Sequence, residues 1–194
     1  RPDFKDIHFN KLNYLDLRDF GLGPRHQVDD KPYGGGPGML LRPEPIFLAV
    51  EEALKLNPEA KVYLPTPAGK VWSQKSAQKL ADENQDLIII CPHYEGYDER
   101  ILSLVDEKFC IGGYVLTGGE LPAAVLVDSV ARLLPGVLGG DGATENESFG
   151  AKYQLEHPQY TRPEEFRAQK VPRVLLSGNH AEIEQWKKDN SEVT

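Results

Sequence analysis

The chain has 194 residues, of which 40% are hydrophobic and 27% charged, an ordinary globular composition with room for one sizeable α/β domain. Its formal net charge of −8 argues against a non-specific nucleic-acid binder, since such proteins are normally basic. No apolar run reaches 18 residues and no signal-peptide pattern is present, so neither membrane insertion nor secretion is indicated and we expect a cytoplasmic protein.

In chain order, the first half predicts a short strand at 12–17 and a Gly- and Pro-rich loop at 21–42. A helix follows at 44–56 and stops at Asn57-Pro58. A strand at 61–64 leads through a tight loop at 65–69 into a helix at 73–84, for which Ser73 is the expected N-cap.

The second half continues the alternation. The apolar run at 87–91 is typical of a strand buried on both faces. After it we predict a short helix at 98–105, a strand at 114–116 and an apolar helix at 121–134 that ends at Pro135-Gly136. A long irregular segment follows at 136–163, and then a strand at 174–176 and a helix at 180–188. This order predicts an α/β fold with a mostly parallel sheet and helices on both faces.

Two cysteines and one basic segment stand apart from the bulk composition. Cys91 and Cys110 lie in apolar surroundings without metal-ligand spacing, so we expect reduced core residues. A local basic patch can coexist with an acidic total, and the best candidate contains Arg162, Arg167, Lys170 and Arg173.

Three loops at predicted strand ends, 65–69, 92–96 and 111–122, are candidates for a ligand site, because open α/β sheets bind ligands beyond the carboxyl ends of their strands. The loop at 111–122 has four glycines and opens onto a helix, which exposes backbone N–H groups to a ligand. Glycine-rich turns also occur for purely structural reasons. The sequence has no Walker lysine, no dinucleotide fingerprint, no zinc cluster and no esterase motif.

Six blocks resemble the bacterial tRNA guanine-N1 methyltransferases (TrmD), in the order of that family. They are Asp29–Met39, Tyr94–Arg100, Ile111–Pro122, Asp128–Arg132 with Pro135–Gly139, His157–Pro163, and Leu175–Ile183. The resemblance implies a SPOUT-type methyltransferase, in which a deep trefoil knot holds S-adenosylmethionine. It implies a homodimer with active sites at its interface, which methylates N1 of the tRNA guanosine immediately 3′ to the anticodon with the support of a divalent ion, usually Mg²⁺.

By the same resemblance, one knotted methyltransferase domain spans 1–186, and 187–194 form a short tail in place of the family's linker and C-terminal helical tRNA-binding domain. The donor pocket is expected to contain Thr66, Pro67, Tyr94, Glu95, Gly96, Ile111, Gly112, Tyr114, Leu116, Gly118, Gly119 and Pro122. Pro37 and Gly38 are expected to seat the guanine, with structural turn glycine as the alternative. Two positions depart from the family, since Pro92 replaces a glycine and His93 an arginine. Pro92 removes a backbone N–H, which puts one donor contact in doubt.

Methyl transfer to N1 of guanine needs a general base, and negative charge then develops toward O6. The family's helical arginine matches Arg132, and its basic aspartate matches Glu147, whose carboxylate reaches one methylene further. Asn146 is the competing alignment and could not act as a base. The alternatives are a solvated loop carboxylate at Glu147 and, at Arg132, a cation favoured by the helix dipole.

Two other functions stay open at this point. One is a catalytically weakened relative that binds S-adenosylmethionine or RNA without turnover. The other is a nucleotide-binding enzyme that uses the glycine loops for phosphate, against which the missing Walker residues argue.

Overall fold

The computed structural model describes residues 12–138, 147–150 and 153–193. The chain forms two compact units that divide between Val137 and Leu138. The N-terminal unit contains a three-stranded parallel sheet with its helices, and the C-terminal unit contains two small antiparallel sheets and two helices.

The parallel sheet is built around β3 (Lys61–Val71), which lies between β4 (Leu87–Ile89) and β5 (Glu107–Cys110). Tyr63 pairs with Ile89 of β4 and with Glu107 of β5, and both pairings are parallel. The predicted strand 61–64 begins at the observed residue, and the run at 87–91 contains the observed β4.

The predicted tight loop 65–69 lies inside β3. Both Pro65 and Lys70 are register partners of Phe109, so the residues between them bulge out of the sheet. Pro65 and Pro67 have no N–H to give to a ladder, which is the local reason for the bulge.

Helices cover both faces of the sheet, because successive residues of β3 enter two different core clusters. Val62 and Leu64 pack with Ile46 and Val50 of α1 (Pro43–Leu56). Tyr63 packs on the other face with α2 (Gln74–Glu83) and α3 (Glu120–Ala131), whose buried residues there are Ala77, Leu80, Leu126 and Val130. The structure confirms the predicted α/β class with a parallel sheet.

Local hydrogen bonds and backbone conformation determine the ends of these three helices. Ser73 caps α2 as predicted, with its Oγ accepting from the Ser76 amide at 3.3 Å, and Asn84 ends that helix in the left-handed conformation. The helix α1 stops before Asn57, as predicted. The helix α3 stops three residues before the predicted Leu134, because the amides of the last residues bond three positions back and tighten the chain into a turn.

A small antiparallel hairpin precedes α1. Its strands β1 (Asp29–Asp30) and β2 (Leu40–Leu41) enclose the glycine-rich segment of the predicted loop 21–42. The strand predicted at 12–17 is wrong, because Asp16 accepts from the Arg18 amide at 2.9 Å and caps a short 3-10 helix over Leu17–Phe20.

Three other predictions need correction. The strand predicted at 114–116 is wrong, since Tyr114, Val115 and Leu116 are exposed. The strand in this part of the chain is β5, which the sequence did not indicate because its first two residues are charged. The helix predicted at 98–105 is a 3-10 helix over Glu99–Leu104. The residues of β4 are half-buried and not buried on both faces, because β4 is an outer strand among the described residues.

The C-terminal unit pairs β6 (Tyr153–Leu155) with β9 (Glu192–Val193) and β7 (Glu165–Phe166) with β8 (Gln169–Lys170), both antiparallel. The strand predicted at 174–176 is wrong: these residues belong to the helix α4 (Arg173–Leu176), which follows Pro172.

The helix predicted at 180–188 is confirmed as α5 (His180–Asp189). Residues 187–193 complete α5 and form β9, and the domain boundary at 186 stays a prediction.

Candidate active site

A cleft of about 180 Å³ lies in the N-terminal unit and is lined by the bulge of β3 and by the loops that follow β4 and β5. All the residues expected in the donor pocket line this one cleft: Thr66, Pro67, Tyr94, Glu95, Gly96, Ile111, Gly112, Tyr114, Leu116, Gly118, Gly119 and Pro122. The structure therefore brings together residues from three separate loops. Their role in binding a methyl donor stays a prediction.

The loops after β4 and β5 are held together by their backbones. The Gly119 amide donates to the Pro92 carbonyl at 2.8 Å, and His93 and Gly118 form an isolated antiparallel bridge. A Cβ on Gly119 would lie 2.5 Å from Cδ of Pro92 and 2.8 Å from Cα of Cys91. Position 119 therefore requires glycine, because the backbone there lies against Cys91 and Pro92. The Pro92 carbonyl accepts the hydrogen bond, and its ring forms part of the close contact.

A side-chain pair reinforces the same junction. Nε2 of His93 lies 2.6 Å from Oε1 of Glu120, the first residue of α3, and both side chains are about half exposed. Sequence reasoning missed Glu120. Its position in the first helical turn, where a carboxylate is favoured, was the available signal.

Another missed residue connects two walls of the cleft. The hydroxyl of Tyr97 donates to Oγ1 of Thr66 at 3.2 Å and so links the loop after β4 to the bulge of β3. Tyr97 lies directly beyond the predicted loop 92–96, and no local pattern pairs it with a residue 31 positions away.

The glycine-rich segment expected to seat the guanine lies against the loop that follows β4. The Glu95 amide donates to the Met39 carbonyl at 3.0 Å, and the Leu41 amide donates to the Gly96 carbonyl at 2.9 Å. Gly38 has φ +81°, and a Cβ there would collide with the side chain of Glu95. Gly38 is thus required on both conformational and steric grounds, and the guanine-seating role of Pro37 and Gly38 stays a prediction.

Ion pairs flank the hairpin that holds this segment. Nη1 of Arg42 lies 3.0 Å from Asp30, and its Nη2 lies 3.0 Å from Glu44. The hydrogen bonds from Arg42 lower the pKa of the Glu44 carboxyl. Similarly, Nε of Arg100 donates to Asp98 at 2.7 Å and lowers the pKa of that carboxyl below its usual value.

Both cysteines are free and half-buried beside the cleft. Burial raises the pKa of the Cys91 thiol to about 11, so this thiol is protonated at neutral pH. The Cys110 thiol donates to the Gly112 carbonyl at 3.0 Å.

The two expected catalytic residues belong to different units. Arg132 directly follows α3, and its amide donates to the carbonyls of Asp128 and Val130. Glu147 begins a turn that the Gly150 amide closes on its carbonyl at 3.2 Å. The pairing of Arg132 with Glu147 stays a prediction, and the competing residue Asn146 lies outside the described residues.

Within the described part of the chain, no group of three His, Cys, Asp or Glu side chains could hold a metal ion. None of the helices described is both long and apolar enough to cross a bilayer.

The α/β unit has strand-end loops that converge on one glycine-lined cleft, which is where open parallel sheets bind their ligands. The profile of the family described as tRNA (Guanine-1)-methyltransferase TrmD matches residues 5–194. The chain belongs to this family.

Curated relatives named tRNA (guanine-N(1)-)-methyltransferase are similar over nearly the whole chain. The protein of Lacticaseibacillus paracasei is 50% identical over 190 residues, which are 96% of this chain and 74% of the relative. That of Listeria welshimeri is 53% identical over 184 residues, which are 93% of this chain and 74% of the relative. That of Dehalococcoides mccartyi is 50% identical over 188 residues, which are 96% of this chain and 75% of the relative.

Proposed function

We propose that this chain is a tRNA (guanine-N1)-methyltransferase that moves a methyl group from S-adenosylmethionine to N1 of the guanosine immediately 3′ to the anticodon. Family membership and relatives about 50% identical support the reaction class. The observation that carries the proposal is the cleft, where residues assigned to the donor pocket from three separate loops line a single cavity. Because the substrate is tRNA, we expect the enzyme to act in the cytoplasm.

The chemistry of the cleft fits this donor. S-adenosylmethionine supplies the methyl group from a sulfonium cation. Glu95 is the one carboxylate among the described residues that line the cleft, and a carboxylate stabilises a nearby cation. None of these described lining residues is lysine or arginine, the side chains that commonly neutralise the phosphates of a nucleoside triphosphate.

Donor binding separates this proposal from a nucleotide-binding enzyme. Calorimetric titration should give saturable binding of S-adenosylmethionine and no binding of ATP at equal concentration. Tighter binding of ATP would contradict the proposal. The deep trefoil knot that the resemblance implies belongs to the same proposal.

For the chemical step, we assign Glu147 to accept the N1 proton and Arg132 to stabilise the charge that develops on O6. The described turn supports a defined position for Glu147 within its own unit, because the Glu156 amide donates to Oγ of Ser148 at 3.0 Å. The longer glutamate arm keeps the carboxylate that a base requires. Labelled methyl transfer to unmodified tRNA tests this step and separates an active enzyme from a weakened relative.

A homodimer with active sites formed by two chains is part of the proposal. Leu121 and Val125 lie one turn apart on α3 and are 65% and 45% exposed, an apolar stripe that a second copy would cover. The resemblance also implies Mg²⁺. Because the described residues include no three-ligand cluster, we assign no metal ligand and no step to the ion.

A further inference from the structure

The segment 162–173, here called the basic hairpin, differs in charge from the rest of the molecule. It carries four basic and two acidic side chains, a net charge of +2, in a chain whose formal net charge is −8. All of these charged side chains are exposed. The segment belongs wholly to the C-terminal unit, whereas the described lining residues of the cleft belong to the N-terminal unit.

The backbone projects the tip of the basic hairpin into solvent. Glu165 pairs with Lys170 and Phe166 with Gln169, so Arg167 and Ala168 form a two-residue turn. Both turn residues have positive φ, 49° and 63°, as a type I′ turn requires. Such turns favour Asn-Gly, so the arginine is not explained by the turn geometry.

Phe166 and Arg167 form an exposed aromatic and cationic pair at this tip. Cζ of Arg167 lies 5.3 Å from the centroid of the Phe166 ring, and Phe166 is 62% exposed. Within the part of the chain that the structure describes, Arg162, Arg167 and Arg173 form no ion pair with a carboxylate. Three guanidinium groups are therefore available for another partner.

We propose that the basic hairpin is a tRNA-contacting surface, with its cations on backbone phosphates and the Phe166–Arg167 pair stacked on an unpaired base. This inference rests on the proposed function for the presence of tRNA. Arginines that form no ion pair with a carboxylate suit phosphate oxygens, and an aromatic ring next to a guanidinium is a stacking surface for single-stranded RNA. A positive surface offsets the repulsion between a polyanion and the remaining residues of this sequence, whose formal net charge is −10.

The test measures binding of a full tRNA transcript to the full chain by fluorescence anisotropy over a range of KCl concentrations. The double variant R167N/A168G removes the cation but supplies the residues that the turn prefers, so its thermal stability should equal or exceed that of the parent. Its tRNA affinity should fall several-fold. The slope of log Kd against log[KCl] should decrease by roughly 0.7–0.9, the contribution of one phosphate contact.

Two further comparisons separate stacking from charge. Phe166→Ala should weaken tRNA binding about fivefold or more with little change in the salt slope. Lys170→Gln should weaken binding and reduce the slope. Lys55→Gln is its matched control, because Lys55 and Lys170 are both 71% exposed and both paired with a glutamate, and it should change neither.

Parental affinity and parental salt slope in R167N/A168G and Phe166→Ala would overturn the proposal, as would an equal loss in Lys55→Gln. These outcomes are distinct from failure of the proposed function. If the parent chain methylates tRNA while the hairpin variants bind normally, only the surface assignment is wrong. If the parent neither binds nor methylates tRNA, the proposed function is wrong.

Discussion

Replacing Gly119 by alanine should weaken donor binding, because the new Cβ has no room where the loops after β4 and β5 meet. Gly119 has φ −82° and ψ −6°, which alanine adopts readily, so the effect is steric. The Cβ would lie 2.5 Å from Cδ of Pro92 and 2.8 Å from Cα of Cys91. Since one of these atoms is backbone, the loops must separate.

The magnitude follows from the cost of such a clash. Overpacking at a close contact costs about 1–3 kcal/mol. If the donor binds only when the loops are apposed, Kd should rise about 5- to 150-fold. Any part of the cost that remains as strain should lower the melting temperature, by about 2–4 °C for each kcal/mol in a chain of this size.

Two neighbouring glycines provide controls. A Cβ on Gly113 would meet nothing within 4 Å, so Gly113→Ala should bind the donor as the parent does. A Cβ on Gly118 would meet the Glu120 carboxylate and the His93 ring, which are side-chain ends that can move. Gly118→Ala should therefore have an intermediate effect.

Calorimetric titration with S-adenosylmethionine and thermal unfolding measure both quantities for each variant. The reasoning would be refuted if Gly119→Ala kept both the parental Kd and the parental melting temperature. It would also be refuted if Gly113→Ala were equally damaging.

Three further predictions concern the base, the assembly and one ion pair. Glu147→Gln should lower methyl transfer by about 10²–10⁴-fold with unchanged donor affinity, and Glu147→Asp should stay active; parental turnover in Glu147→Gln would place the base elsewhere. If each active site uses residues of two chains, mixing the inactive variants Gly118→Val and Glu147→Ala should restore part of the activity. In the heterodimer, one active site then contains both substitutions and the other contains neither. A monomer by light scattering would contradict this. Asp98→Ala should lower the free energy of unfolding at pH 7 by about 1 kcal/mol through loss of a cap. Because Arg100 lowers the pKa of Asp98, this stabilisation is present above the unfolded-state pKa of about 3.9 and is lost as pH falls through the folded-state pKa. Denaturant titrations at pH 7 and pH 3 should show the difference shrinking, and an equal difference at both would contradict the assignment.

Elements with local signals were predicted well. Ser73 and Asn57 mark helix boundaries by hydrogen bonding and backbone preference that act within a few residues. The helices at 44–56, 73–84 and 180–188 were therefore found from the sequence to within one residue at each end.

Short strands depend on partners that are distant in sequence. The strand β5 has one buried side chain, Phe109, which is buried by β3, α2 and α3. Glu107 and Lys108 of the same strand are exposed, so β5 has no alternation of apolar and polar residues by which the sequence could identify it. The apolar run at 114–116, by contrast, is exposed and belongs to no described strand. Tertiary packing decided both cases.

The site shows the same division. The glycines and apolar residues of each loop were identified from the resemblance, one loop at a time. The contact of Gly38 with Glu95 and the hydrogen bond of Tyr97 to Thr66 join loops far apart in sequence. Such contacts follow from the register of the parallel strands, which no single segment encodes.

The central claim is the identity of the methylated atom and nucleotide. The purified chain should be incubated with S-adenosylmethionine and two tRNA transcripts that differ only in the nucleotide immediately 3′ to the anticodon, guanosine or adenosine. Nuclease digestion and mass spectrometry should find N1-methylguanosine in the first transcript and no methylated nucleoside in the second. Equal methylation of both transcripts, or none of the guanosine transcript at donor concentrations that saturate the cleft, would contradict the account.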